Sequence, residues 1–129
     1  MRILIITGEI SGDLYGALLV KRIRELNPSY HFIGIGGPRL RATDAEILFS
    51  AEALSLVGIP KPAELKKYFF IYRKIEELLK RKRVDLVLLV DFPGFNLRVA
   101  KLAKNLGYPV IYYVAPQVWA WHKNRIKIL

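Results

Sequence analysis

Short apolar runs alternate with stretches of helical periodicity along this chain, and this alternation constrains the fold more than any other feature. The apolar runs lie at residues 2–7, 30–35, 85–91 and 109–115. Strands that are apolar throughout are typical of parallel sheets, because helices cover both faces of such sheets. The pattern therefore predicts an α/β protein with four parallel strands and helices on both faces.

The stretches between these runs supply the predicted helices. They are residues 12–26, 63–83 and 96–106, with a shorter helix at 44–54. Ser11 is a candidate N-cap of the first helix, and Gly107 is a candidate C-terminal glycine of the last. No apolar run approaches the roughly 18 residues of a membrane-spanning helix. The 129-residue length suits one domain, and the absence of cysteine excludes disulfides and thiol catalysis.

The positive charge is concentrated in one part of the chain. The formal net charge is +10, and residues 61–129 carry fifteen basic and five acidic residues. Such a balance indicates a phosphate-bearing partner: an anionic membrane, a phosphorylated substrate or nucleic acid. No recognised nucleic-acid motif is present, so we do not expect nucleic acid as the partner.

In a parallel sheet the loops that follow the strands gather at one edge, where ligands bind in open α/β folds. These loops are residues 8–13, 36–39, 91–96 and 116–122. In the first loop Ser11, Gly12 and Asp13 are candidate substrate-binding residues, and Gly36 and Gly37 are candidates in the second. The alternative is structural: Ser11 and Asp13 cap the helix, and the glycines allow close packing.

The later loops contain three further candidates. Asp91 ends the most apolar run, which suits either a catalytic carboxylate or a helix-capping residue in a turn. Asn96 could bind substrate or cap the following helix. Trp119 could line a ligand wall, although a tryptophan in this position also suits a hydrophobic core.

The sequence gives no indication of a metal or a cofactor. The two histidines do not have zinc-like spacing, and no Asp-x-Asp pair is present. The first loop matches neither the dinucleotide pattern G-x-G-x-x-G nor a P-loop. We therefore expect neither a metal site nor a cofactor, and a different nucleotide-binding enzyme is a weaker hypothesis.

The basic helix predicted at 63–83 has aromatic residues on its polar side. Phe70 lies in the middle of the polar arc and Phe69 at its margin. Exposed phenylalanine among cations is typical of a surface that contacts a membrane, whereas a purely charged arc would be a solvated face. The candidate membrane-facing residues are Phe69, Phe70, Lys66, Lys67, Arg73 and Lys74.

Three motifs together resemble one known family. They are Gly8-Glu9-Ile10-Ser11-Gly12-Asp13, Asp91-Phe92-Pro93-Gly94-Phe95-Asn96 and Pro116-Gln117-Val118-Trp119-Ala120-Trp121. With the glycine stretch at 34–40 they stand in the order and spacing found in the N-terminal part of lipid-A-disaccharide synthases. These are bacterial glycosyltransferases, and the resemblance covers essentially all of the chain.

The resemblance implies a GT-B fold with two Rossmann-like domains. It implies an enzyme that joins UDP-linked diacylglucosamine to diacylglucosamine 1-phosphate, giving UDP and the lipid A disaccharide precursor, without a metal. Asp91 matches the family's candidate general base, and the first two loops match its substrate site. The implied location is cytoplasmic and peripheral on the inner membrane.

The length departs from the family, whose members are about three times as long. Residues 1–129 would then be an incomplete N-terminal, acceptor-side domain, and the C-terminal UDP-sugar-binding domain would be absent. We expect such a chain to be inactive alone and to self-associate through the truncated face. The alternative function is a Rossmann-like module that binds a membrane or a phospho-ligand without catalysis.

Overall fold

The structure is a computed structural model that describes residues 1–8, 10–54 and 61–114. The strands are β1 (Arg2–Thr7), β2 (His31–Gly36), β3 (Glu46–Ser50), β4 (Leu86–Val90) and β5 (Val110–Tyr113). The helices are α1 (Ile10–Leu26), α2 (Pro38–Arg41), α3 (Pro62–Lys80) and α4 (Pro93–Asn105), with a 3₁₀ turn at Ala51–Leu54. All strand pairs are parallel, in the order β3-β2-β1-β4-β5.

Helices cover both faces of the sheet, as the sequence predicted. Successive residues of a strand point to opposite faces, so β1 contributes to two separate cores. Ile3 and Ile5 pack with Val20 of α1 on one face. Leu4 and Ile6 belong to the core on the other face, where α3 and α4 pack. The prediction of a Rossmann-like α/β sheet is confirmed.

One predicted element is wrong. Residues 44–54 were expected to form a short helix, but they form strand β3 followed by the 3₁₀ turn. β3 pairs with β2, and its side chains alternate between exposed and half-buried. Hydrogen bonding to an existing sheet edge outweighs the helix propensity of this alanine-containing segment, so the sheet has five described strands instead of four.

Helix α3 follows the predicted amphipathic pattern. Its buried residues are Tyr68, Ile71, Ile75 and Leu79, spaced so that they share one face of the helix. Phe69 and Phe70 are 48% and 53% exposed, as expected. The helical spacing of the sequence also predicts that Leu65 faces the sheet. It is instead 38% exposed, because it lies in the first turn, before the buried stripe begins.

Two predicted helix starts are also corrected. Ser11 lies inside the first turn of α1, which begins at Ile10, and is therefore not its N-cap. α4 begins at Pro93 and its N-cap is Phe92, so Asn96 lies within the helix. Gly107 follows the end of α4 with φ of 88°, which confirms the predicted C-terminal glycine.

Candidate functional site

The candidate site is a crevice between the carboxyl ends of β1 and β4. These strands are neighbours, but α1 leaves β1 towards one face and α4 leaves β4 towards the other. Such a divergence is where open α/β sheets bind ligands. The two loops touch: a Cβ built on Gly8 would lie 2.1 Å from Cγ of Phe92, so only glycine fits beneath this ring.

Asp91 is the first residue after β4 and lies in an unfavourable backbone conformation. Asp91 and Phe92 have φ values of 48° and 52°, in the left-handed region that residues other than glycine rarely adopt. The N–H of Asp91 donates to the carbonyl of Tyr113 at 2.9 Å, which ties the turn to β5. Asp91 is half-buried, at the sheet edge where the sequence predicted that the loops gather.

Asn96 holds the base of this turn. It is fully buried, and its Nδ2 lies 3.2, 3.3 and 2.9 Å from the carbonyl oxygens of Ile6, Val90 and Asp91. Its Oδ1 is also buried and has no hydrogen-bond partner among the described residues. The amide therefore joins the ends of β1 and β4 to the Asp91 turn. Whether Asn96 binds substrate, as the sequence suggested, stays a prediction.

Tyr112 is a residue that the sequence analysis missed. Its hydroxyl donates to the carbonyl of Asp91 at 2.8 Å. Burial, assisted by the charge of Asp91, raises the pKa of Tyr112 above its ordinary value, so the phenol stays protonated and remains a donor. No motif could have revealed this bond, because it depends on the pairing of β5 with β4.

In the first loop, Ser11 and Gly12 differ in their surroundings. Ser11 is exposed in the first turn of α1. A Cβ on Gly12 would lie 3.7 Å from Cβ of Thr7 and from the carbonyl oxygen of Val90, an ordinary contact. The packing of the described residues therefore does not require glycine at position 12, and the predicted contacts of Ser11 and Gly12 with substrate stay predictions.

Asp13 connects the first loop to the second. Its carboxylate is buried and accepts the N–H groups of Gly37, Arg39 and Leu40 at 2.8, 2.9 and 3.0 Å. A Cβ on Gly37 would lie 2.7 Å from Oδ2 of Asp13. Asp13 thus caps α2 instead of its own helix, and its predicted contact with substrate stays a prediction.

Gly36 and Gly37 border an open depression at the ends of β2 and β3. A Cβ on Gly36 would lie 2.4 Å from Cδ2 of Leu40, which explains the first glycine by packing. The depression has a volume of about 410 Å³, and Arg41 and Ser50 also line it. The structure therefore places the second glycine loop at the predicted edge, beside a space open to solvent.

The exposed surface of α3 combines aromatic and basic residues. Phe70 is surrounded by four cations at i−4, i−3, i+3 and i+4, which are neighbours on a helix. They are Lys66, Lys67, Arg73 and Lys74. Nζ of Lys74 lies 5.3 Å from the centre of the Phe70 ring, and the edge of that ring meets Phe49 at 6.2 Å between centres. Phe70 is thus held in place and still half exposed.

Within residues 1–8, 10–54 and 61–114, no group of three His, Cys, Asp or Glu side chains could hold a metal ion. Trp119 lies outside these ranges, so its predicted role in a ligand wall stays a prediction.

Comparison with known proteins identifies the family. The family model described as lipid-A-disaccharide synthetase matches residues 3–129. The chain belongs to the lipid-A-disaccharide synthase family. Relatives with this name include those of Trichlorobacter lovleyi, Nitrosococcus oceani and Myxococcus xanthus, which are 42%, 42% and 41% identical over 98%, 95% and 99% of this chain.

The match covers only part of the length of these lipid-A-disaccharide synthases. The chain spans 33%, 32% and 34% of the three relatives, about a third of the length of the curated proteins that it matches. A solved structure, the C-terminal domain of a hydrogenase from Pyrococcus furiosus, has a TM-score of 0.59 over 87% of this chain and 90% of its own. At 20% identity, that likeness supports the α/β fold and nothing further.

No helix in residues 1–8, 10–54 and 61–114 is both long and apolar enough to cross a bilayer.

Proposed function

We propose that this chain provides the acceptor-side part of a glycosyltransferase that makes the lipid A disaccharide precursor. The acceptor is diacylglucosamine 1-phosphate, and the donor is UDP-diacylglucosamine. The acceptor's 6-hydroxyl oxygen attacks the anomeric carbon of the donor sugar. The bond from that carbon to the diphosphate oxygen breaks, and UDP leaves with the bonding electrons. Asp91 takes the hydroxyl proton as the general base.

The observation that carries this proposal is the place and conformation of Asp91. It lies at the crevice between β1 and β4, where two successive residues other than glycine, Asp91 and Phe92, have left-handed backbones, and strain of this kind clusters at functional sites. Membership of the lipid-A-disaccharide synthase family supplies the reaction that a carboxylate there would serve.

The other candidate residues at this edge of the sheet fall into two groups, possible substrate contacts and residues that shape a loop. Ser11 and Gly12 are the proposed substrate contacts of the first loop, since Ser11 is exposed and the packing around Gly12 does not by itself require glycine. Asp13, Gly36 and Gly37 shape the second loop, where Asp13 is committed to three main-chain N–H groups. Together the first and second loops would hold the acceptor near Asp91.

The decisive experiment compares two Asp→Asn variants, one at each end of β4. Asp91→Asn in the native protein keeps the size of the side chain but removes the base, so kcat should fall by about 10²–10⁴-fold. Asp85→Asn is the matched control at the other end of β4. Its Oδ2 accepts the N–H of Arg2 at 2.8 Å, and an amide oxygen can do the same. This variant should keep wild-type turnover.

Thermal unfolding of both variants accompanies the kinetic assay. An Asp91→Asn protein that unfolds like the wild type and turns over normally would reject Asp91 as the base. Equal losses of activity in both variants would indicate a general effect of charge on this sheet instead of chemistry at the crevice.

We also propose that α3 docks on the anionic inner face of the cytoplasmic membrane, where both acylated substrates would reside. The support is the pair Phe69 and Phe70 within a ring of cations. Among the described residues, Glu77 and Glu76 of α3 pair with Lys74 and Lys80, whereas Lys66, Lys67 and Arg73 have no ion-pair partner. Cations of this kind each add about 1 kcal/mol of attraction to an anionic bilayer.

Vesicle binding tests this surface. Phe69→Ser with Phe70→Ser should weaken binding to vesicles of phosphatidylethanolamine and phosphatidylglycerol, because two apolar anchors are lost. Leu26→Ser is the matched control, since Leu26 is 83% exposed at the end of α1, away from α3. Binding that survives both phenylalanine changes would exclude α3 as the docking surface.

The same assays separate the alternative function, a binding module without catalysis. That alternative predicts membrane binding that depends on salt and on α3, together with no effect of Asp91→Asn on any turnover by the native protein.

We further propose that the UDP-sugar site lies on a second domain outside these residues. The span of about a third of the matched relatives supports this division. The intact mass of the native protein tests it: a mass near three times 14.8 kDa fits two domains, and a mass equal to 14.8 kDa does not. Self-association of the 129-residue chain, and its inactivity alone, stay predictions.

A further inference from the structure

The turn at Asp91 must be held against its own backbone preference. Two successive residues other than glycine in the left-handed region strain the backbone, and such a turn persists only where its surroundings fix it. The main-chain polar atoms of the turn show how this is done. The N–H of Asp91 donates to Tyr113, and the carbonyl of Phe92 accepts the N–H of Asn96 at 3.0 Å.

The carbonyl of Asp91 receives two side-chain donors. Nδ2 of Asn96 lies 2.9 Å from it and Oη of Tyr112 lies 2.8 Å from it. These two bonds fix the peptide plane that follows Asp91, and with it the direction of the Cα–Cβ bond, which leads to the carboxylate. A carbonyl with both lone pairs engaged cannot rotate without losing a hydrogen bond.

The two donors differ in what else they support. Asn96 is fully buried and also serves the carbonyls of Ile6 and Val90, so changing it would disturb the ends of β1 and β4. Tyr112 is half-buried, and the one side-chain hydrogen bond that it makes to the described residues is the bond to Asp91. Its raised pKa keeps the phenol protonated in any assay near neutral pH.

We propose that Tyr112 is a positioning residue: its hydroxyl holds the main chain of Asp91 so that the carboxylate meets the acceptor hydroxyl. This inference rests on the proposed function, in which Asp91 is the general base. Proton transfer is sensitive to such placement, since a shift of about 1 Å in a reacting group can cost about 10²-fold in rate.

The test uses Tyr112→Phe in the native protein, which removes the hydroxyl and keeps the ring. We expect kcat to fall by about tenfold, within the range for a misplaced reacting group, while KM stays within about twofold. Tyr108→Phe is the matched control. The Tyr108 hydroxyl also donates to a main-chain carbonyl, that of Leu79 at 2.5 Å, but it precedes β5 at the opposite edge of the sheet. This control should keep its kcat even where its unfolding temperature falls.

A double variant separates positioning from direct contact with substrate. If Tyr112 acts through Asp91, Tyr112→Phe should cause no further loss in the Asp91→Asn background. An equal loss in both backgrounds would show that the phenol acts by itself and would overturn the proposal. So would an unchanged kcat in Tyr112→Phe, or a change confined to KM.

Hydrogen exchange at the Asp91 amide gives a readout that does not depend on activity. Loss of the phenol should loosen the turn and speed exchange of this N–H in Tyr112→Phe, but not in Tyr108→Phe. If Asp91→Asn keeps full activity, the proposed base fails while this measurement still decides whether Tyr112 holds the turn. Unchanged exchange would overturn the proposal.

Discussion

An aspartate stands at each end of β4, Asp85 before the strand and Asp91 after it, and the two make different kinds of hydrogen bond. At the amino end Asp85 exchanges hydrogen bonds with Arg2: its N–H donates to the carbonyl of Arg2, and its carboxylate accepts the N–H of Arg2, both at 2.8 Å. At the carboxyl end the main chain of Asp91 is held by Asn96 and Tyr112 in a left-handed conformation. The first arrangement extends the pairing of the sheet, and the second maintains strain at a crevice.

This contrast separates a stabilising aspartate from a positioned one. At the amino end of β4, the carboxylate of Asp85 accepts the main-chain N–H of Arg2, and this contact needs no unusual backbone conformation. The carboxyl end keeps an unfavourable backbone by directing side-chain donors at it. Strain that is supported from several sides indicates a site where placement matters more than stability. The Asp91→Asn and Asp85→Asn pair is the strongest test of the contrast.

Glycine substitutions should give the next largest difference between the two ends. Gly8→Ala would force Cβ into the Phe92 ring, at a cost of about 1–3 kcal/mol in unfolding free energy, and would displace the residue next to Asp91. Gly107→Ala would meet no atom within 4 Å and would cost about 1–2 kcal/mol through its positive φ alone.

Denaturant unfolding and turnover, measured together, distinguish the two glycines. We expect Gly8→Ala to lower kcat as well as stability, and Gly107→Ala to lower stability alone. A Gly8→Ala protein with normal turnover would mean that Phe92 can move without disturbing Asp91, which would remove the link between the first loop and the proposed base.

The smallest expected effect is a fall in the unfolding free energy at alkaline pH, to which Tyr108 at one end of the sheet and Tyr112 near the other both contribute. Burial raises the pKa of Tyr108 and of Tyr112 above 10.0, and the charges of Asp85 and Asp91 respectively add to this. Below pH 10 both phenols are protonated in the folded and unfolded states, so their contribution to stability is complete. Above pH 10 the unfolded state loses its protons first, and the unfolding free energy falls.

Unfolding measured between pH 8 and 11 checks this direction. Tyr108→Phe and Tyr112→Phe should each flatten the decline, and Tyr72, whose pKa burial also raises, should sustain part of it. A flatter curve for only one of the two variants would show that the ends of the sheet differ electrostatically as well as in geometry.

The comparison also shows what the sequence could predict about the site. Parallel strands bring the first three loops to one edge, and this followed from the alternation of apolar runs and helices. Asp91 was a candidate because it ends the most apolar run. The partners of Asp91 and Asp13 were not predictable, because the donors Tyr112 and Leu40 lie more than twenty positions along the chain from the aspartates that accept their hydrogen bonds.

Segment 44–54 illustrates the same limit in the fold. Its alanines and glutamates favour a helix locally, yet Glu46–Ser50 pairs with β2 as an edge strand. Periodicity determines an element when one face must be buried, as in α3. Where the segment can gain main-chain hydrogen bonds from a neighbouring strand, tertiary pairing decides.

The sequence by itself determined the α/β class, the long amphipathic helix, the family motifs and the exposure of Phe69 and Phe70, because each depends on local order along the chain. Only the tertiary structure decided that Tyr112 and Asn96 meet at the carbonyl of Asp91 and that Asp13 caps α2. Those contacts depend on strand register and loop closure, and neither is encoded in the spacing of any single motif.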